Sequence, residues 1–317
     1  MIKTKICDIL KIKYPVIQGG MAWVADASLA AAVSNAGGLG LISSINESVE
    51  AVRDQIRLCK TLTDKPFGVN IMLQSPIAAD VAKIIVEEAV PVVTTGAGSP
   101  APYMSMWKEA GIKVIPVIAS VAMAVKVQNM GADAVVAEGG ESGGHVGELH
   151  TMALVPQVVD AVDIPVIAAG GICDGRGAAA AFMLGAAGVQ MGTRFLVADE
   201  CTVHQVYKDK IINASDISTM LTGKALGHPV RSLKTPFLKT LVKMESSADF
   251  KPEEVMAFGA GALRRAVKEG DLNGSYMAGE CAGMVKKAQP AKEIVEDVIL
   301  GAEKIIGEKY NQIWKKE

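Results

Sequence analysis

The segment Glu138-Gly-Gly-Glu-Ser-Gly-Gly-His145 ends a glycine-rich loop on an imidazole, directly after the apolar run Ala132-Asp-Ala-Val-Val-Ala137. Histidine titrates near neutral pH, so at a pocket wall it donates or accepts a proton under working conditions. The glycines, Gly143 and Gly144 among them, let the backbone approach a ligand more closely than residues bearing a Cβ allow. An isolated histidine is equally compatible with a packed or solvated side chain. His145 is singled out by the loop around it.

Two further stretches are suited to anion chemistry. Ala168-Ala-Gly-Gly-Ile172 and Gln190-Met-Gly-Thr-Arg194 each end an apolar run, the first with two glycines, the second with a glycine, a hydroxyl and an arginine. Exposed backbone amides there, with a helix N-terminus, would cradle a phosphate; tight strand-to-helix turns would use the same glycines. No GxGxxG with an acidic residue about twenty positions on is present, and no Walker A segment, so a mononucleotide-sized ligand is favoured over a dinucleotide. Asn70 and Glu138 could hydrogen-bond the edge of a heterocycle, while Gly19-Gly-Met-Ala22 and Thr94-Thr95-Gly96 add close-approach and polar groups.

These residues need a scaffold that gathers them, and the chain supplies a repeating one. Strands are expected at Pro15–Gly20, Gly40–Ser43, Phe67–Ile71, Val90–Thr95, Lys113–Ile118, Ala132–Ala137, Pro165–Gly171 and Gly188–Gly192. Helical patterns fill the intervals. Such alternation implies right-handed βαβ units and a parallel sheet, and eight units suggest closure into a (β/α)8 TIM barrel rather than an open doubly wound sheet. The chemistry-bearing residues then fall at strand C-termini, the active face of such barrels. The alternation stops near Cys201, so 201–282 is expected to form an inserted, mainly helical cap or substrate domain on a barrel made of 1–200 and 283–317. A long amphipathic helix, Ala291–Lys315, would return to the barrel.

Composition narrows the function classes. In 317 residues with a net charge of -2, there is no basic stripe that would mark a nucleic-acid binder. No apolar run is long enough for a transmembrane helix, and the N-terminal residues lack the apolar core of a secretory signal, so a cytoplasmic protein is expected. Five scattered cysteines without CxxC spacing suit neither a disulfide framework nor a zinc site. Cys173, beside a turn, reads as packing rather than a nucleophile. The cap carries Lys208, Lys210, Lys224, Arg231, Lys234, Lys239 and Lys243, either a solvated face or a docking surface for an acidic partner.

Several strings resemble one family. Gln18-Gly-Gly-Met21, Gly68-Val-Asn-Ile-Met72, Glu141-Ser-Gly-Gly-His145, Ala169-Gly-Gly-Ile172 and Gln190-Met-Gly-Thr-Arg-Phe195 are similar to the flavin-dependent family that unites nitronate monooxygenases with type II enoyl-acyl-carrier-protein reductases. The likeness spans essentially the whole chain. Met21-Ala-Trp-Val-Ala-Asp26, Asp64-Lys-Pro-Phe-Gly-Val-Asn-Ile-Met72, Val93-Thr-Thr-Gly-Ala-Gly98 and Met277-Ala-Gly-Glu280 look closest to the FabK-type reductase branch. The resemblance implies FMN in the barrel mouth, its phosphate on Gly170, Gly171, Gly192 and Thr193 and its ring near Gly20, Met21, Ala22, Asn70 and Glu138. Thr95, Gly143, Gly144, Ala169, Gln190 and Met191 complete the implied cofactor set, and His145 matches the family's catalytic histidine.

Ser142 stands where alanine is expected, and Glu138 where nitronate monooxygenases tend to have glutamine, a difference that leans toward the reductase. The resemblance further implies NADH or NADPH as hydride donor and an enoyl substrate on acyl carrier protein in fatty acid biosynthesis. It also implies a homodimer, and leaves room for a monovalent cation. Oxidation of alkyl nitronates is the alternative within the family.

Overall fold

The computed structural model describes residues 2–45 and 48–313, with side chains through 308. The strands in chain order are β1 (Val16–Gln18), β2 (Gly40–Ser43), β3 (Phe67–Met72), β4 (Val92–Gly96), β5 (Lys113–Ile118), β6 (Val135–Glu138), a short β7 (Gly144–His145), β8 (Val166–Ala169), β9 (Gly188–Met191), β10 (Thr219–Thr222) and β11 (Val230–Leu233). All but β7, β10 and β11 form one parallel sheet in the order β1-β9-β8-β6-β5-β4-β3-β2. The two ends of that sheet meet: Gln18 N donates to Leu39 O at 3.0 Å and Leu39 N to Val16 O at 2.9 Å. The buried Gln18 side chain reinforces the seam by accepting from Leu41 N at 3.0 Å. The expected TIM barrel is therefore present.

The helices are α1 (Lys5–Leu10), α2 (Ala27–Asn35), α3 (Val49–Leu62), α4 (Ala78–Glu87), α5 (Met104–Glu109), α6 (Val121–Asn129), α7 (Thr151–Ala161), α8 (Gly175–Met183), α9 (Gln205–Ile212), α10 (Pro236–Glu245), α11 (Pro252–Gly259), α12 (Ala262–Glu269) and α13 (Ala291–Ile313). Local chemistry starts several of them: Asp26, Ser48, Ser120 and Asp174 each accept a hydrogen bond from an amide of the following first turn. Strand alternation then divides the core. Ile17, Leu41, Val92, Ile115, Val136 and Ile167 fill the barrel interior, with Ile6, Cys7 and Leu10 of α1 plugging the end where the strands begin. Val69, Ile71, Val93 and Val114 face outward into the helix layer. The same period of two turns Asn70, Thr94, Glu138 and Gln190 inward at the C-terminal ends.

The segment between β9 and α13 is mainly helical, as expected, with one addition. It holds α9 to α12, but also the hairpin β10–β11, and β11 pairs antiparallel with β7 through Val230 opposite His145 and Arg231 opposite Gly144. The expected loop around His145 is thus partly a strand of a second sheet. Two residues ending a glycine run show no alternation of their own, and only a partner distant in the chain defines them. Helix α13 packs on α8 and α2 as expected, and its expected last residues, 314–315, lie outside the described residues. Among the described residues no helix is long and apolar enough to cross a membrane, and no group of three His, Cys, Asp or Glu side chains could hold a metal ion.

Candidate active site

The C-terminal ends of the barrel strands open into a cavity of about 400 Å³. Its floor and walls come from Gly19–Ala22 after β1, Ser43, Asn70 and Met72, Gly96, Val117 and Glu138, and the turns Ala169–Ile172 and Gln190–Thr193. Tyr207, Leu263, Met277, Gly279 and Cys281, from between β9 and α13, close it from above. Every expected site residue but one lines this space: His145, Gly20, Met21, Ala22, Asn70, Glu138, Gly143, Gly144, Ala169, Gly170, Gly171, Gln190, Met191, Gly192 and Thr193.

Thr95 is the exception. It is buried with its hydroxyl unpartnered and is absent from the cavity wall, as is Thr94, which stands behind the wall and accepts a 2.9 Å hydrogen bond from Asn70 Nδ2. The pleat decides between the two: adjacent residues of β4 point to opposite faces, and 94 shares the inner face with Asn70, its register partner. Asn70 in turn needs Gly20, since a Cβ there would lie 2.2 Å from Asn70 Cβ.

At the phosphate-type end, the cradle is made of loop backbone together with the uncapped start of a short 3-10 helix, Thr193–Val197, whereas α8 does not contribute an open N-terminus. The first turn of α8 is capped by its own Asp174, whose Oδ1 accepts from Arg176 N at 2.9 Å and Gly177 N at 3.2 Å. Among the described residues the amides of Gly171 and Gly192 donate to no protein acceptor, and both line the cavity. Beside them Gln190 Oε1 and Ser142 Oγ are buried without a hydrogen-bond partner. Arg194 does not join this end: its guanidinium donates to Lys287 O at 3.3 Å and to Gln289 Oε1, and Arg194 is buried.

Gly170 connects this cradle to the histidine loop. It sits at φ +96°, and a Cβ would lie 2.7 Å from Gly139 O, so a side chain is excluded by both conformation and space. Thr151 Oγ1 lies 2.9 Å from both Glu141 Oε2 and Gly170 O, and Glu141 also accepts from Thr151 N at 2.9 Å. One hydroxyl therefore ties the loop after β6 to the loop after β8.

His145 stands exposed at the rim, backed by the hairpin, with Val146 N donating to Pro229 O at 3.1 Å. Partial enclosure, and then the charge of His228, hold its pKa below the ordinary value. At neutral pH it is an uncharged imidazole, able to donate one N–H and accept at the other nitrogen. Deeper in, burial raises Glu138 from an ordinary 4.5 to about 7, so its carboxyl keeps its proton well above the usual carboxylate range and is a donor in that form. Cys173, next to the cradle, is buried with its thiol 3.9 Å from Met284 Sδ. Its pKa is raised by the hydrogen bond to Cys281 and by burial, which agrees with packing rather than nucleophilic chemistry.

Of the seven cap cations, Lys208 and Arg231 are buried, and Lys210 lies 5.0 Å over the Tyr276 ring; Lys224, Lys234, Lys239 and Lys243 are exposed. Residue-by-residue reading of the sequence had no signal for the upper wall of Tyr207, Leu263, Gly279 and Cys281. Only the string Met277–Glu280 stood out there, and without a role.

Comparison with known proteins adds a lineage to this geometry. The profile described as nitronate monooxygenase matches residues 3–301. The chain is 41% identical over 267 residues, 83% of its own length and 74% of the relative's, to (3aS,4S,5R,7aS)-5-hydroxy-7a-methyl-1-oxo-octahydro-1H-indene-4-carboxyl-CoA dehydrogenase of Mycobacterium tuberculosis. It is 31% identical over 353 residues to a probable nitronate monooxygenase of Staphylococcus saprophyticus, covering 96% of this chain and 99% of that one. FabK from Thermotoga maritima superposes with a TM-score of 0.96 at 50% identity, covering 98% of this chain and 100% of that structure.

Proposed function

The chain belongs to the nitronate monooxygenase family, a family of oxidoreductases, and from that premise we propose that it is an FMN-dependent enoyl-acyl-carrier-protein reductase using NADH or NADPH. The observation that carries this reading is a single cavity joining unpartnered backbone amides at one end to His145 at the rim, in a chain that follows FabK from Thermotoga maritima almost from end to end. The residues present suit FMN. Gly170, Gly171, Gly192 and Thr193 would hold its phosphate, with Asn70, Glu138 and the unpartnered Gln190 Oε1 meeting the polar edge of the ring. When bound, FMN supplies the hydride chemistry that no side chain of the cavity provides.

The chain's own contribution is position and charge. As hydride reaches the β-carbon of a trans-2-enoyl thioester, negative charge gathers on the thioester carbonyl oxygen, and a neutral imidazole N–H from His145 stabilises it there. Met21, Met72, Met123 and Met277 line the cavity and give an acyl chain an apolar, adaptable wall. Exposed Lys224, Lys234, Lys239 and Lys243 would steer an acidic carrier protein toward the mouth.

The test is an anaerobic titration. The purified protein should show a flavin spectrum, bleach on addition of NADH or NADPH, and recover on addition of crotonyl thioester. Recovery only with oxygen, accompanied by nitronate consumption, would replace the reductase with a nitronate monooxygenase, and a colourless protein unable to take up added FMN would sink both.

A further inference from the structure

We propose that Arg231 is a positioning residue for His145, fastening the glycine loop that carries the imidazole at both of its ends. The side chain is 9% exposed. At the start of the loop its guanidinium straddles one carbonyl, Nη2 donating to Gly140 O at 3.1 Å and Nε at 3.3 Å. At the end of the loop its backbone is the register partner of Gly144, with Val230 opposite His145. A residue of the distant hairpin thus spans the whole interval from Gly140 to His145.

A second set of contacts clamps the same loop through the segment Ala278–Glu280. Arg231 Nη2 pairs with Glu280 Oε1 at 3.0 Å, and Glu280 N donates to Glu141 O at 2.9 Å. The two backbones are in close contact there, since a Cβ at Gly143 would lie 2.6 Å from Ala278 C. Arg231 therefore joins three chain segments, of which two wall the cavity. The physical need is plain. A loop with this many glycines loses much conformational entropy on ordering, and among the described residues no hydrogen bond of the imidazole itself holds it in one place. A planar guanidinium donates in two directions at once, to a carbonyl and a carboxylate, as an ammonium cannot with the same rigidity.

The inference rests on His145 being the group that meets substrate, and the measurements separate the two claims. In the holoenzyme, Arg231→Gln should retain flavin, raise amide hydrogen exchange across Gly140–Val146, and cut turnover of crotonyl thioester by roughly tenfold to a hundredfold with KM changed less than about twofold. Arg231→Lys should fall between, and carries the same readouts if the glutamine variant does not fold. In a His145→Ala background, Arg231→Gln should add less than about a twofold loss, because a residue acting through the imidazole has nothing left to position. Unchanged exchange across the loop, or a full multiplicative loss in the double variant, overturns the proposal. Wild-type turnover in His145→Ala alone defeats the functional reading instead, while the exchange measurement still reports whether Arg231 holds the loop.

Discussion

The two ends of the cavity are built on different plans. The cradle consists of turns after neighbouring parallel strands, brought together by the pairing of Ala169 with Gln190, and its working groups are backbone amides. The rim consists of one side chain, His145, whose place depends on the hairpin β10–β11 and on Glu280, far along the chain. Backbone groups at strand ends are placed by the barrel itself, so the cradle needs only residues small enough to leave them open. A rim side chain on a glycine loop needs partners from elsewhere. Binding and catalysis should therefore fail separately.

The largest expected effect breaks the rim alone. His145→Ala should lower turnover about a hundredfold or more while flavin content, read from the visible spectrum, stays at the wild-type level. Loss of flavin together with activity would mean the two ends are not independent. Gly170→Ala attacks the place where they touch, since its Cβ would press on Gly139 O from a conformation that already disfavours a side chain. Flavin affinity should weaken by roughly tenfold or more, at a conformational cost of about 1–3 kcal/mol, measured by fluorescence titration of the apoprotein.

Glu138 lies between the ends and supplies a pH signature. Its folded pKa is raised from 4.5 to about 7, so the folded chain holds the proton more tightly than the unfolded chain across that window. The resulting stabilisation is complete below the unfolded value and lost as pH rises to about 7. Solvent in the cavity screens the effect to on the order of 1 kcal/mol, and urea midpoints of the apoprotein should decline over that range in the wild type but less steeply in Glu138→Gln. Equal slopes would remove Glu138 as the titrating group. The smallest effect lies outside the cavity: Lys239→Glu with Lys243→Glu should raise KM for a carrier-linked substrate about two- to fivefold at low salt and leave a small thioester unaffected. Equal changes for both substrates would end the docking reading.

Much of the cradle was legible in order along the chain because its signals are local. Ala169-Gly-Gly-Ile172 and Gln190-Met-Gly-Thr193 are contiguous strings after apolar runs, and the barrel turns contiguous strings into neighbours. Where the local reading missed, a non-local fact was responsible. The string Thr94-Thr95-Gly96 does not say which threonine faces inward; the register of Thr94 with Asn70 does. Helix α8 does not offer the amides of Arg176 and Gly177 because Asp174 takes both, while the short helix at Thr193–Val197 starts uncapped. Arg194 and Arg231 read as available cations, yet both are buried against carbonyls.

The sequence by itself determined the alternation of strands and helices, the barrel it closes into, and the residue types that stand at each strand end, because hydrophobic period and turn residues act over a few positions. Only the tertiary structure decided which face each strand residue shows, which basic side chains reach solvent, and what holds His145. Those depend on register and on pairing between segments far apart in the chain, and a two-residue strand such as Gly144–His145 exists only when its partner arrives.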